Sequence, residues 1–448
     1  MSERIVFQRD VPLRHEVDVF VAGGGPAGCA AAVTAAQAGA SVFLAEGQVC
    51  FGGAGTAGMV PAFMRFGDGV HFLAGGFGER LLDRLIAAGG AGELPESYDK
   101  TGGFAIEAET LKRVYDELMR EAGARFTFAT QMVAVECEGG HITGVVLAAK
   151  SGLFAVRAKV YIDATGDGDL CAWAGAPFEK GDAEGNLMPG TLCSLWANID
   201  FAAVRRDLRG VPANARIEEA FRDGVLSYCD KHLPGIWAIR KNIGGGNVGH
   251  TFGVDGTDER SLTEALLWGR RSLVEYGRYY REYLGSGYRD MDLVTTGAML
   301  GIRETRRIGG DAVLEVDAFK TRAVFDDEIG RFNYPVDIHV ARPNDEREYK
   351  RFEQEFNTMR LGNGESYGIP YGTLLPRGLD NALVAGRCIS TDRAMQASVR
   401  VMPGCYITGQ AAGMAAAMAA DSGGTPRAVA PDELRRRLRA IGAYVPGR

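Results

Sequence analysis

Two stretches of the chain share the spacing G-x-G-x-x-G: "VAGGGPAG", with glycines at 23, 25 and 28, and "NIGGGNVGH", with glycines at 244, 246 and 249. Where a strand runs straight into a helix, that spacing grips a dinucleotide. The first glycine permits the sharp turn, the second lets backbone N–H groups approach a pyrophosphate, and the third lets the helix press on the strand. The helix N-terminus adds unpaired donors and partial positive charge, both suited to phosphate.

The two stretches differ in setting. Around the first, Val17 to Ala22 reads as a buried parallel strand and Pro26 to Ala38 as a helix of small residues. Gly39 stops that helix, and Ser41 to Ala45 reads as a second strand ending at Glu46. Glu46 lies about 18 residues past Gly28, close to the ~20 expected of a ribose-binding acid. Around the second stretch, Arg240, Lys241 and Asn242 interrupt the short run Ile236 to Ile239 before the glycines arrive. The residues after Gly249 are loop-like, and a helix is expected only from Ser261, which forms an S-x-x-E capping box with Glu264. The second stretch is therefore expected to be a loop or strand edge and not a second dinucleotide site.

Directly after Glu46 comes "GQVCFGGAGTAG", where a nicotinamide dehydrogenase would begin its next βα unit. Its Gly52, Gly53 and Thr56 resemble the G-G-x-x-T loop of flavoproteins built like glutathione reductase and fumarate reductase. Farther on, Gly139-Gly140 and Ser151-Gly152 punctuate short alternating runs, which predicts a three-stranded antiparallel meander. The buried run Val160 to Ala164 then ends in Ala164-Thr165-Gly166. Near the C-terminus a strand "LVAGR", a loop and a small-residue helix opening after Pro403 succeed one another.

These pieces, with "IDATGDGD", "GIRETRRIGG", "YPVDIH" and "IPYGTLLP", span nearly the whole chain. Together they resemble the FAD-dependent oxidoreductases related to the succinate dehydrogenase and fumarate reductase flavoproteins. The resemblance implies an α/β fold: a Rossmann-like FAD-binding domain with the meander, plus an inserted α+β substrate domain. The expected divisions are 14–183 and 376–425 for the FAD-binding parts, 184–375 for the insert and 426–448 for a helical tail. Gly23, Gly25, Pro26, Ala27 and Gly28 would line the pyrophosphate, and Glu46 would hold the adenosine ribose. Gly52, Gly53 and Thr56 would run beside the cofactor, and the Met132 backbone would meet the adenine. Ala164, Thr165 and Gly166 would pass the cofactor, with Gly386 and Arg387 near its ribityl and pyrophosphate region. The helix from Gly404 would aim its N-terminus at the flavin's pyrimidine edge, where negative charge develops on reduction. No histidine sits in a recognisable place for covalent attachment, so FAD is expected to be non-covalent. Relatives often carry an arginine after the "IPY" tyrosine; here Gly372 follows Tyr371.

Hydride transfer at a flavin N5 usually needs a proton donor or acceptor beside it. Three positions are candidates for catalysis: Arg303 in "GIRETRR", His339 in "YPVDIHV" and Arg400 in "SVRVMPG". Each has a plainer alternative. Arg303, Arg306 and Arg307 interleave with Glu304 as a salt-bridge cluster would. His339 suits a half-buried strand histidine, and Arg400 suits pairing with Asp392 or cradling the flavin.

Composition bounds the rest. The chain has 448 residues, 46% hydrophobic and 24% charged, with a net charge of −7. That acidity favours neither nucleic acid nor an anionic membrane surface. Eight cysteines without a C-x-x-C pair argue against a metal or iron–sulfur site, and the expectation is no metal. A cytoplasmic enzyme is expected, acting on a small-molecule substrate with a separate electron donor or acceptor. Two rival readings are a non-catalytic FAD-fold binding protein and an NAD-dependent dehydrogenase.

Overall fold

The computed structural model describes residues 5–343, 346–357 and 359–446. Strand β1 (Leu13–Ala22) becomes wholly buried over its last four residues, as a parallel strand covered on both faces must. It feeds helix α1 (Pro26–Gln37) through the first glycine turn, and β2 (Val42–Ala45) returns parallel to β1. Strand β3 (Arg125–Thr127) extends this edge. Strands β4 (Gln131–Glu138), β5 (His141–Ala149) and β6 (Gly152–Asp163) pair antiparallel in succession. The long β6 also runs parallel to β1, so one mixed sheet takes the order β3-β2-β1-β6-β5-β4.

A second sheet forms from β7 (Ser194–Ala197), β8 (Gly235–Arg240), β9 (Ile243–Asn247) and β10 (Asp292–Thr296), in the order β8-β9-β7-β10. Helix α2 (Glu259–Tyr283) packs on it and shares a separate apolar core with Trp196, Leu273 and Tyr280. The glycine-rich "IGGGN" is thus a central strand, neither loop nor edge. Its glycines are packed from both sides: a side chain at 245 would meet Ile239, and one at 246 would meet Ser194 and Trp196. Helix α2 begins two residues earlier than expected, and the Asp258 carboxylate caps it by accepting from the Ser261 N–H.

The chain then returns to the first sheet. Strand β11 (Ala382–Val384) pairs parallel with the end of β6. Helix α3 (Arg393–Val399) occupies what reads in sequence as a loop, capped by Asp392 on the Met395 N–H. Helix α4 (Met402–Asp421) comes next, with Pro403 second in the helix, and α5 (Pro431–Ala440) closes the chain.

Alanine and glycine make up more than half of helix α1 and half of helix α4, and both helices are buried on nearly all sides, which marks helices in a protein interior. Gly409 and Gly413 lie four apart, on one face, opposite Ala27 and Ala31. A Cβ at Gly409 would sit 2.8 Å from the Ala27 Cα, and one at Gly413 2.9 Å from the Ala31 Cα. The backbones themselves are in contact. Gly409→Ala is expected to cost about 1–3 kcal/mol by overpacking, seen as a lower urea-unfolding midpoint; an unchanged midpoint would show that the helices can part without cost.

Candidate active site

A cavity of about 940 Å³ opens where the C-terminal ends of β1 and β6 meet the N-termini of α1 and α4. One end is glycine-built. Gly23 has φ +92°, and a side chain there would lie 2.7 Å from the Ala164 carbonyl oxygen. Gly25, by contrast, has nothing within 4 Å of where its Cβ would be, and faces the cavity together with Pro26 and Ala27. No side chain caps α1, so its first N–H groups are left for a ligand. Gly28 lies beneath this surface, where an added Cβ would run into the Gly23 carbonyl and sit 3.2 Å from the Ala164 Cβ, so it sets how closely helix and strand approach.

Glu46 lies in the cavity wall, with one oxygen accepting from the Gly24 N–H at 2.5 Å and the other from the Gln48 N–H at 2.6 Å. Burial pushes its carboxyl pKa up, against the lowering effect of these N–H donors. Met132 and Gly53 also line the cavity. Gly52 and Thr56 do not: Gly52 (φ +94°) turns the loop against Tyr115, and Thr56 donates to the Phe51 carbonyl. Both shape the loop from behind.

Along the floor, Ala164, Thr165 and Gly166 are pinned by the buried Asp163, which accepts from the Thr165 hydroxyl at 2.7 Å and the Cys171 N–H at 2.9 Å. Arg387 clamps this loop to its neighbour, donating to the carbonyls of Gly166 (2.8 Å) and Ile302 (2.7 Å). Gly386 (φ +84°) packs on Ala27. Val401, Met402 and Cys405 bring the start of α4 to the cavity, while Gly404 itself is turned towards Val399 and Phe332.

Arg303, His339 and Arg400 also line the cavity. Arg306 and Arg307 do form ion pairs, with Asp169 at 2.6 Å and Glu304 at 2.8 Å. Arg303 stands apart from them. Its hydrogen bonds go to neutral oxygens: Pro189 O (2.8 Å), Thr191 Oγ1 (2.9 Å) and Asn247 Oδ1 (3.3 Å). Burial, and then the charge of Arg400, pull its pKa down to about 10, which still leaves it charged at neutral pH. Arg400 pairs with Asp337, at 3.1 Å, rather than with Asp392.

His339 is 3% exposed and lies in an irregular segment, not a strand. Its Nδ1 is 2.9 Å from His250 Nε2, its Nε2 is 3.5 Å from Asp337, and its ring stacks on His232 at 3.8 Å. His250 in turn meets Asp230 at 2.8 Å through Nδ1. Sequence reading missed His232, His250, Asp230 and Asp337, which no local motif marks; three of the chain's six histidines, His232, His250 and His339, meet here. Atoms of His232, Asp337 and His339 all lie within 4.8 Å of one another. The two rings are parallel within 12°, so their in-plane lone pairs run side by side instead of converging on an ion, and we do not assign a metal site.

The cavity fits a dinucleotide: a backbone cradle with open space at Gly25, two uncapped helix N-termini, and charged groups in the same cavity's wall. A model of the FAD dependent oxidoreductase family matches residues 18–438. The chain belongs to that family. It is 27% identical over 250 residues to a thiamine thiazole synthase of Methanococcus aeolicus, covering 53% of this chain and 81% of that protein. To a digeranylgeranylglycerophospholipid reductase of Methanocella arvoryzae it is 30% identical over 175 residues, 36% of this chain and 43% of the relative. Among solved structures, a geranylgeranyl bacteriochlorophyll reductase-like protein from Thermoplasma acidophilum superposes with a TM-score of 0.48 at 14% identity, over 96% of this chain and 84% of that one. The protein is an FAD-dependent oxidoreductase. Among its described residues no helix is long and apolar enough to cross a membrane.

This oxidoreductase should show two measurable properties. Gly25→Ala, at a φ of −68° open to any residue, should leave the unfolding midpoint unchanged but weaken FAD binding by about tenfold or more, or ~1.4 kcal/mol; unaltered affinity would remove Gly25 from the cofactor cradle. The second concerns pH. Burial holds His232 down to about 4, and burial, then Arg303 and His232, hold His339 well below its ordinary value. Below an unfolded pKa of ~6.5 the unfolded chain binds protons that the folded rings refuse. Stability should therefore fall as pH drops from about 6.5 towards 4, by up to ~1.4 kcal/mol per unit for each ring. Urea unfolding across that range measures the slope, which His232→Asn should reduce.

Proposed function

We propose that this oxidoreductase moves a hydride between a small organic substrate and the N5 of non-covalently bound FAD, as a relative of the succinate dehydrogenase and fumarate reductase flavoproteins. The observation that carries the reading is one continuous cavity, lined both by the glycine cradle and by Arg303, His339 and Arg400. FAD supplies the two-electron acceptor or donor when bound. In this reading 14–183 and 376–425 hold the cofactor and 184–375 is the substrate-covering insert, whose residues between Leu192 and Leu300 share a separate core.

The chain's own groups have separable tasks. Arg303 is fixed by three neutral acceptors, so its charge is not spent on a carboxylate hydrogen bond and is free to stabilise negative charge developing in the cavity. Arg400 is held beside it by Asp337, and the start of α4 adds its dipole from the same side. His339, neutral at pH 7, presents a ring able to take or give a proton. Electrons come from the substrate or a separate partner, since β9 offers no second dinucleotide turn. The named relatives act on different substrates, and neither is carried over. None of the eight scattered cysteines is in a disulfide, which agrees with a reducing, cytoplasmic compartment.

The purified protein should be yellow, and a colourless protein that cannot be reconstituted with FAD sinks the reading. Anaerobic mixing with a panel of small alcohols, amines and acids identifies compounds that bleach the flavin band. On any of them Arg303→Gln should keep its FAD but bleach roughly 10²–10³-fold more slowly; an unchanged rate would reduce Arg303 to a structural role.

A further inference from the structure

The second sheet turns one face to its own core and the other to the cofactor cavity. Side chains at Gly244 and Gly246 would run into Ile236 and Trp196, which face the α2 core. Alternate residues of a strand point the opposite way. Trp237 pairs with Gly245 and Gly235 with Asn247 across β8 and β9, so Trp237, Gly245 and Asn247 share the other face. Trp237 and Asn247 both line the cofactor cavity. Gly245 has no side chain to stand between them, and Pro61, also in the cavity wall, packs where one would be. At a rise of ~3.4 Å per residue the two positions are about 7 Å apart along the strands.

The two ends of this short floor differ in chemistry. Trp237 is left 42% exposed, whereas Trp196 on the core face is 2% exposed. An uncovered indole in a cavity wall offers its face to a flat ring. Asn247, by contrast, leads to Arg303. That guanidinium donates through Nη1 to Pro189 O and Thr191 Oγ1, and through Nη2 to Asn247 Oδ1. A guanidinium has five N–H donors. The Nε–H and one Nη2–H therefore have no acceptor among the described residues. They sit on neighbouring nitrogens, the arrangement that a carboxylate takes with both oxygens.

We propose that this face of the second sheet seats an aromatic monocarboxylate, its ring against Trp237 and its carboxylate on the Nε–Nη2 edge of Arg303. This names the substrate class for the hydride transfer proposed above, and rests on that reading. The ~7 Å between the two positions suits one ring with a carboxylate attached directly or through a short linker.

Charge selects for a single carboxylate. Arg400 donates only through Nη2, to the Asp337 carbonyl at 3.0 Å and its carboxylate at 3.1 Å, so these two charges cancel. Asp167 and Asp169, elsewhere in the cavity wall, are taken up by Arg387 and Arg306. Burial keeps His232 and His339 neutral at pH 7. One uncompensated positive charge remains, on Arg303. A second carboxylate would lie over the indole with no counter-charge, and desolvating it there is costly. An uncharged ring would leave the Arg303 fork without an acceptor.

Calorimetric titration of the FAD-loaded protein with benzoate, phenylacetate and cinnamate tests this. The controls are succinate, a dianion without a ring, and benzyl alcohol, a ring without charge. At least one aromatic acid should bind about tenfold or more tighter than both controls and shift the flavin band. Arg303→Gln should weaken that acid by about tenfold to a hundredfold and leave benzyl alcohol unchanged. Trp237→Leu should weaken the acid and benzyl alcohol alike, by about threefold to tenfold. FAD content and the urea midpoint report whether each variant folds, and the wild-type ranking decides if one does not. Succinate binding as tightly as the best aromatic acid, no binding by any of the three, or an affinity unmoved by Arg303→Gln overturns the seat. A protein that takes up FAD and is bleached only by uncharged compounds overturns the seat and leaves hydride transfer standing. A protein that takes up no FAD overturns the hydride reading, and the same titrations followed by tryptophan fluorescence then decide the seat alone.

Discussion

The architecture depends on one contact: the backbone approach of α1 to α4. Alanine and glycine on both helices remove the side chains that ordinarily hold helices 8–10 Å apart, and the Gly409 and Gly413 positions leave no room for even a methyl. This contact brings together two helix N-termini that lie 376 residues apart by number, at Pro26 and Met402. Both then point at the same cavity. A dinucleotide with a pyrophosphate at its middle and an electron-accepting ring at one end can use both positive ends at once, and neither helix would present its end there without the other.

The wall around Arg303 meets a different constraint, that of keeping charge in a place where water is scarce. Ion pairs such as Arg306–Asp169 and Arg307–Glu304 settle that locally. Arg303 is settled by dipoles instead, and so remains a net positive charge facing inward. Removing such an acceptor leaves a buried donor unsatisfied, which costs more than the hydrogen bond contributes. Thr191 and Asn247 thus matter for where the guanidinium points, and through them the second sheet positions a group that works on the first sheet's ligand.

How much of this was legible in the sequence depends on the range of the signal. The strand–glycine–helix unit is local: every residue that makes it a phosphate turn lies within Val17 to Glu46, so period and glycine spacing suffice. The same holds for the hairpins closed by Gly139-Gly140 and Gly152, which all adopt positive φ. Arg303, His339 and Arg400 could be singled out because each sits in a recognisable segment, and all three line the cavity. Asp230, His232 and His250 sit in segments without one, and their partner His339 lies 89 residues beyond His250. Nothing in local pattern reports a contact of that separation. The cap of α2 was misplaced for a smaller reason: Asp258 and Ser261 are both good capping types, and only the backbone direction decides between them.

The second glycine stretch shows how a motif can mislead about its job and still mark the site. In β9 the glycines are needed because the strand is central, with β8 and β7 bonded to either side and Ile239, Ser194 and Trp196 occupying the space where side chains would be. Close packing of that kind fixes the strand's end with little freedom. At that end Asn247 reaches Arg303, and three residues later His250 enters the histidine row, its carbonyl held by the Trp268 indole N–H at 3.1 Å. A spacing that elsewhere lets a backbone approach phosphate here lets a sheet close tightly behind a row of acid–base groups. Glycine's chemistry is the same in both cases, a missing side chain where two things must meet; what differs is whether the second thing is a ligand or the protein's own core.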